Sequence, residues 1–206
     1  MGKTLTKDDY LIICGDFGLI WDQADRVSEE EEYWLDWLNS RPWTTLFVDG
    51  NHENHPRINT YPVIEKFGGK VHQIDTSIFH LIRGEYYTIE DKTFWVMGGA
   101  TSIDRLYRIE GRTWWKEEAP SYDEMLHGVD TFNAHNNKVD YILTHCAPSN
   151  YLDDICLGYQ SDEVTQYLDF IYNNFEFKKW YCGHYHINKT IDKRFNVVYD
   201  LIVPLT

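Results

Sequence analysis

Two of this chain's nine histidines stand one residue apart in KWYCGHYHINK, residues 179–189. On an extended chain His184 and His186 would point to the same side. Neutral imidazole is the commonest protein ligand for transition metals. Three other short stretches carry side chains of similar competence: Asp16 in CGDFG, Asn51 and His52 in DGNHEN, and His145 in LTHCAP. Together they offer mixed oxygen and nitrogen donors, which suit Mn, Fe, Zn, Co or Ni. Glycine stands in three of the four stretches, and a residue without Cβ lets the backbone turn sharply and approach a bound ion. Singly, each has a plainer reading as a turn aspartate, a polar loop or a histidine hydrogen-bonded at a strand end. In order, each at the end of an apolar run, they point to one metal-binding constellation.

Such a set needs rigid strands whose ends converge. YLIIC (10–14) is an apolar run with charge before it and Gly-Asp after it, which predicts a buried strand. Ser28 followed by Glu31 predicts a capping box opening a helix, with Trp34, Trp37 and Leu38 on one face and Pro42 as its stop. TTLFVDG (44–50) is a second strand. After Gly68-Gly69 the texture changes to short β segments, KVHQI, IFHLIRG, YYTIE and TFWVMGG, with Asp91-Lys92 turning a hairpin between the last two. Residues 100–137 read as irregular, with a helix beginning at Ser121, before the buried strand VDYILTH (139–145). SDEVTQYLDFIYNNF (161–175) places Val164, Leu168, Ile171 and Phe175 at helical spacing. KWYC (179–182), INKTI (187–191) and NVVYDLIVPL (196–205) are expected to finish the chain as strands. The expected fold class is α/β (α+β), two β-sheets packed face to face with helices outside, in a single domain over residues 1–206.

Charge and cysteine usage narrow the partners. With 19 basic against 33 acidic residues the net charge is −14, so the chain repels polyphosphate backbones and non-specific nucleic-acid binding is not expected. A phosphorylated substrate would then need positive charge from elsewhere, and bound metal is one source. Cys14, Cys146, Cys156 and Cys182 form no C-x-x-C pair and are too scattered for a disulfide framework, which predicts reduced thiols in a cytoplasmic protein. MGKTLTKDDYLIIC lacks the pattern of a signal peptide, and no apolar run is long enough to span a membrane. The acidic run SEEEEYW (28–34) reads as a solvated helix start, where glutamates complement the dipole.

The ordered set GD, GNHE, TH and GHYH, spread from residue 10 to the chain's end, resembles the calcineurin-like metallophosphoesterase superfamily. The resemblance implies a four-layer αββα sandwich with a two-metal centre at the strand ends. By motif, Asp16 would bridge the metals, Asn51, His145 and His184 would complete one site, and His186 would serve the other. His52 would sit over the substrate and help protonate the leaving group. Two divalent cations about 3.5–4 Å apart would hold a hydroxide at neutral pH and neutralise the phosphoryl oxygens of a phosphomonoester or phosphodiester. GDFGLIWD stands where the superfamily's protein phosphatases continue with Asp-Arg-Gly, which argues for a small phosphoester rather than a phosphoprotein.

One motif of that superfamily is missing. Its pattern opens with D-x-H at the end of the first strand, whereas only 15 residues precede Asp16, none of them histidine, with Asp8-Asp9 ahead of the strand. The expectation is a chain shortened at its N-terminus and lacking its first strand, with Asp16 and His186 alone in the second metal site. The sheet edge left open would be a template for pairing, hence an expected homodimer. Two classes of function stand on this sequence: a metal-dependent phosphoesterase, or an inactive remnant of that fold acting only through metal or protein binding. The segment 98–124 also has two readings. It is either a wall near the metals, with Arg105, Arg108 or Arg112 reaching phosphate and Trp114-Trp115 covering the substrate, or a surface loop held by its own tryptophans and ion pairs.

Overall fold

A computed structural model describes residues 4–205. Along the chain the elements are β1 (Tyr10–Cys14), α1 (Glu29–Asn39), β2 (Thr44–Val48), α2 (His55–Ile58), β3 (Val63–Lys66), β4 (Gly69–Asp75), β5 (Ile78–Leu81), β6 (Tyr86–Ile89) and β7 (Lys92–Met97). They continue with α3 (Tyr122–Ala134), β8 (Lys138–Thr144), α4 (Leu152–Ile155), α5 (Glu163–Asn174), β9 (Glu176–Cys182), β10 (Lys189–Thr190) and β11 (Phe195–Val197). One sheet has the order β1-β2-β5-β4-β3, the other β10-β11-β9-β8-β7-β6. Both are mixed, and helices flank them.

The apolar runs of β2, β8 and β9 are explained by burial on both faces. On β2, Leu46 and Val48 face the layer between the sheets while Phe47 packs toward α1 and α2. On β8 and β9, Tyr141, Leu143 and Tyr181 enter the middle layer, while Ile142 and Trp180 meet α5 residues Leu168 and Ile171 on the outer side. The period of two thus serves two cores at once.

Parallel pairing sets where the functional residues emerge. Cys14 lies level with Val48, Met97 with Thr144, and Thr144 with Cys182. The chain therefore leaves β1, β2, β8 and β9 at the carboxyl ends of parallel strands, where open α/β sheets form their crevices.

Several local expectations need correction. The hairpin turns on Glu90-Asp91, one residue earlier than expected, because both take left-handed φ (48° and 62°), which matches the twist of a two-residue loop. Ser28 caps α1 through the Glu31 N–H at 3.2 Å, but the Glu31 carboxylate leaves the box. It accepts instead from the Trp21 and Asp22 N–H groups and pairs with Arg57 at 2.5 Å. Trp34 and Trp37 are 42% and 39% exposed, since Leu35 and Leu38 supply the buried face of α1. The final strand ends at Val197 and INKTI contracts to Lys189–Thr190, while residues 198–205 form no ladder. Strand β3 was not expected and pairs antiparallel with β4.

Among the described residues β1 pairs with β2 alone, so it is an edge strand. A cavity of about 670 Å³ is lined by β1, Phe94, Leu143, Tyr181 and residues 198–205, together with Asp16, His145, His184 and His186.

Candidate metal centre

Two glycines make the site's loops possible. After β1 the backbone turns through Gly15 (φ 88°) and Asp16 (φ 52°), and a Cβ on Gly15 would overlap the His145 ring. Gly50, following β2 and Asp49, lies so close to Asp16 that a Cβ there would overlap its carboxylate. The two loops are then tied together. Asp16 Oδ1 accepts the His52 backbone N–H at 3.0 Å. Fully buried Glu53 accepts from Phe17 N at 2.6 Å, Gly18 N at 3.3 Å and Gly50 N at 3.4 Å.

His145, next after β8, is the hub. Its Nδ1 lies 2.9 Å from the Cys14 carbonyl, which can only accept, so Nδ1 carries the proton and Nε2 presents a lone pair. Around that lone pair stand Asn51 Oδ1 at 3.0 Å, His184 Nδ1 at 3.2 Å and Asp16 Oδ1 at 3.3 Å. His184 Nε2 is in turn 2.6 Å from the Tyr159 hydroxyl. Four of the residues singled out by sequence, Asp16, Asn51, His145 and His184, therefore meet, and His52 adjoins them through its backbone.

A family model of calcineurin-like phosphoesterases matches residues 3–188, a span that takes in all six candidate residues. The chain belongs to the calcineurin-like phosphoesterase family. No curated protein matches it.

His186, expected to serve a second metal site, makes no hydrogen bond to the hub among the described residues, although it lines the same cavity as Asp16, His145 and His184. His186 is exposed and stacks on Tyr199, with ring centroids 4.9 Å apart and planes at 25°. His184 and His186 both have left-handed φ (69° and 52°), so the same-side rule for an extended chain does not apply to them.

Among the described residues no three His, Cys, Asp or Glu side chains are already disposed as a metal-holding group. The chemistry of the donor set nonetheless fits one divalent cation. Three oxygen or nitrogen atoms crowd a lone pair at 3.0–3.3 Å. Ligands about 2.1 Å from a common ion stand about 3–3.4 Å from one another. The second partners fit as well, since His145 and His184 each have their other ring nitrogen hydrogen-bonded, the arrangement that orients metal-ligating histidines.

The electrostatics suit an ion. Burial pushes the Asp16 carboxyl up, but the hydrogen bond it accepts from the His52 N–H works against this, and the carboxyl stays below its ordinary range. Burial lowers His184 to about 3, leaving its ring neutral. His52 is half-buried and lowered by burial, with Arg108 acting in the same direction against Asp16 and Asp104.

Both readings of segment 98–124 hold in part. It is fastened by Arg105–Glu118 at 2.6 Å, Arg108–Asp104 at 2.7 Å and buried Trp115 against Trp21. It also walls the site, since Ser102 Oγ lies 2.9 Å from Asn51 Nδ2. Sequence reasoning missed Glu53, Ser102 and Glu118. Glu53 stands inside the quoted GNHE stretch, whereas nothing local marks the other two.

Proposed function

We propose that this chain is a metal-dependent phosphoesterase that hydrolyses a phosphomonoester or phosphodiester at one divalent transition-metal ion held by Asp16, Asn51, His145 and His184. The observation that carries this reading is the convergence of three donor atoms on the His145 Nε2 lone pair. Similar atoms crowd together there with no positive charge between them, and a cation relieves that repulsion. A divalent cation bound there supplies Lewis-acid polarisation of a phosphoryl oxygen and makes a water acidic enough to attack at neutral pH.

The chain's own residues do the rest. Cys14 O holds the His145 tautomer, and Tyr159 holds the His184 ring. His52 is pinned to Asp16 through its backbone, so its half-buried ring has a defined place beside the donors. An incoming phosphate anion raises the imidazole's affinity for a proton, and His52 then donates that proton to the leaving oxygen as general acid. Arg108, whose charge bears on both His52 and Asp16, favours the anion's approach.

A second reading is a phosphoesterase-fold protein without catalysis, acting through metal or protein contacts. It is favoured by His186 stacking on Tyr199, which leaves donors for one cation rather than two. Hydrolysis of bis(p-nitrophenyl) phosphate with added Mn²⁺, beside an Asp16→Asn control, separates the two. Turnover lost in the control supports the enzyme. Absence of turnover from folded protein that binds Mn²⁺ favours the second reading.

Two accompanying proposals are coarser. The four free cysteines suit a reducing compartment, so the cytoplasm is the proposed location. The open edge of β1 is the proposed contact of a homodimer. No helix among the described residues is long and apolar enough to cross a membrane.

A further inference from the structure

We infer that Ser102 and Glu118 are positioning residues that fix the orientation of the Asn51 amide, turning its oxygen toward His145 Nε2 and its nitrogen away. This rests on the reading of Asn51 as a metal-holding residue. It assigns a task to a segment, residues 98–124, whose role the motifs leave open.

The inference follows from hydrogen-bond inventory. Asn51 is buried, and its two amide ends face different partners: Oδ1 is 3.0 Å from His145 Nε2, and Nδ2 is 2.9 Å from Ser102 Oγ. Locally, nothing favours this orientation over its flip. His145 Nε2 is a lone pair and would accept an N–H from the flipped amide, which would aim donors into the cation's place. The decision therefore comes from the other end.

Ser102 Oγ has one proton and two lone pairs. Its neighbour at 2.6 Å is Glu118 Oε2, an acceptor on a fully buried side chain. Glu118 Oε1 is already supplied by Ser102 N at 2.8 Å and Arg105 Nε at 2.7 Å. Oε2 has the Ser102 hydroxyl as its one hydrogen-bond donor among the described residues, and a buried acceptor left without a donor is costly. The hydroxyl proton therefore goes to Glu118. That leaves Ser102 Oγ with only lone pairs toward Asn51, which must answer with its N–H. Its carbonyl oxygen is thereby aimed at His145 and the cation.

The backbone of Glu118 is held independently. Its carbonyl accepts from Ala100 N at 3.1 Å and Arg83 Nη2 at 3.2 Å, so the relay starts from a fixed point.

The test is Glu118→Gln, nearly isosteric but able to donate. A Gln nitrogen at the Oε2 position gives its proton to Ser102 Oγ, turns the serine hydroxyl toward Asn51 and flips the amide. In metal-free protein, nuclear Overhauser contacts of the Asn51 side-chain NH₂ should run to the Ser102 β protons in the wild type and to His145 in Glu118→Gln. Wild-type contacts to His145 would overturn the inference whatever the metal does. Mn²⁺ titration by calorimetry should then show affinity about 10–100-fold weaker in Glu118→Gln and Ser102→Ala, as for other residues that orient metal ligands. Ser102→Thr, which keeps the hydroxyl, should restore it. Circular dichroism checks that each variant is folded. Variants that unfold more easily yet bind Mn²⁺ like the wild type would reduce Ser102 and Glu118 to structural residues and overturn the assignment. Wild-type protein that binds no Mn²⁺ would sink the metal reading instead, with the amide contacts still deciding the orientation.

Discussion

Arg83 meets Asp49 with two nitrogens on one oxygen, Nε at 2.9 Å and Nη2 at 2.5 Å from Oδ2, both side chains buried. The same guanidinium donates to the carbonyls of Glu117 at 2.9 Å and Glu118 at 3.2 Å, and reaches Glu124 near the start of α3. Asp49 immediately precedes the Gly50–His52 loop. The pair therefore joins the loop that carries Asn51 to the segment that carries Glu118. Burial works against the Asp49 charge, yet the Arg83 guanidinium and the hydrogen bond with His80 hold its carboxyl well below the usual range.

Removing one partner of that pair leaves a buried charge alone. Arg83→Met should cost about 3–5 kcal/mol of stability in urea denaturation. Adding Asp49→Leu should recover part of the loss, because both charges are then gone. A loss within the scatter of ordinary surface substitutions would mean the pair does not hold the loops.

Acid should weaken the fold before it titrates the carboxylates. Burial lowers His55 to about 3, with Arg83 and His80 adding to the effect and Asp49 opposing it. Burial and His80 lower His72 to about 4. Unfolded histidine titrates near 6.5, so between these values the unfolded chain binds more protons than the folded one. Stability contributed by the neutral rings is present above about pH 6.5 and lost as pH falls toward 4. Melting temperatures at pH 7.5, 6 and 5 should decline in that order, more shallowly in His72→Gln. A flat profile would contradict the buried-neutral assignment.

His145 and His186 should behave differently on substitution. His145→Ala removes the hub and should weaken Mn²⁺ binding by more than the about 10–100-fold typical of outer partners. His186→Ala, whose ring lies on Tyr199, should leave the affinity within about twofold. Equal losses on calorimetric titration would mean that both histidines hold the ion, contrary to the left-handed backbone seen here.

Metal should stabilise the protein by mass action. At Mn²⁺ a hundred times its Kd the gain is about 2.7 kcal/mol, visible as a raised Tm that EDTA reverses. Asp16→Asn should lack the shift. A shift of equal size in that variant would place the ion elsewhere.

The β1 edge should reveal itself in solution. Sedimentation velocity should give a mass that rises with concentration above the 24.5 kDa of one chain, and Ile12→Lys should return it to the monomer by putting charge on the edge. A single chain at every concentration would end the dimer proposal.

The sequence by itself determined the layered fold class and the residues worth testing. Apolar runs such as YLIIC and VDYILTH mark strands, although YLIIC lies half-buried at a sheet edge and only the second is buried, and the capping residues Ser28 and Ser121 mark helix starts through contacts within three positions. These are local signals, set by hydrophobic period and cap chemistry. The tertiary structure decided what those residues meet. It drew Asp16, Asn51, His145 and His184 onto one nitrogen from positions up to 168 apart, Asp16 to His184. It laid the His186 ring on Tyr199 rather than beside His184 on an extended strand, because both histidines take left-handed backbone that spacing alone does not reveal. It took Glu31 out of its capping box for a buried arginine, and it brought Glu118 to Ser102 and Asn51 through a segment with no regular pattern. Spacing along a chain encodes which side chains share a face. Which lone pair ends up facing which donor depends on burial and on groups far away in sequence, and only the folded chain supplies both.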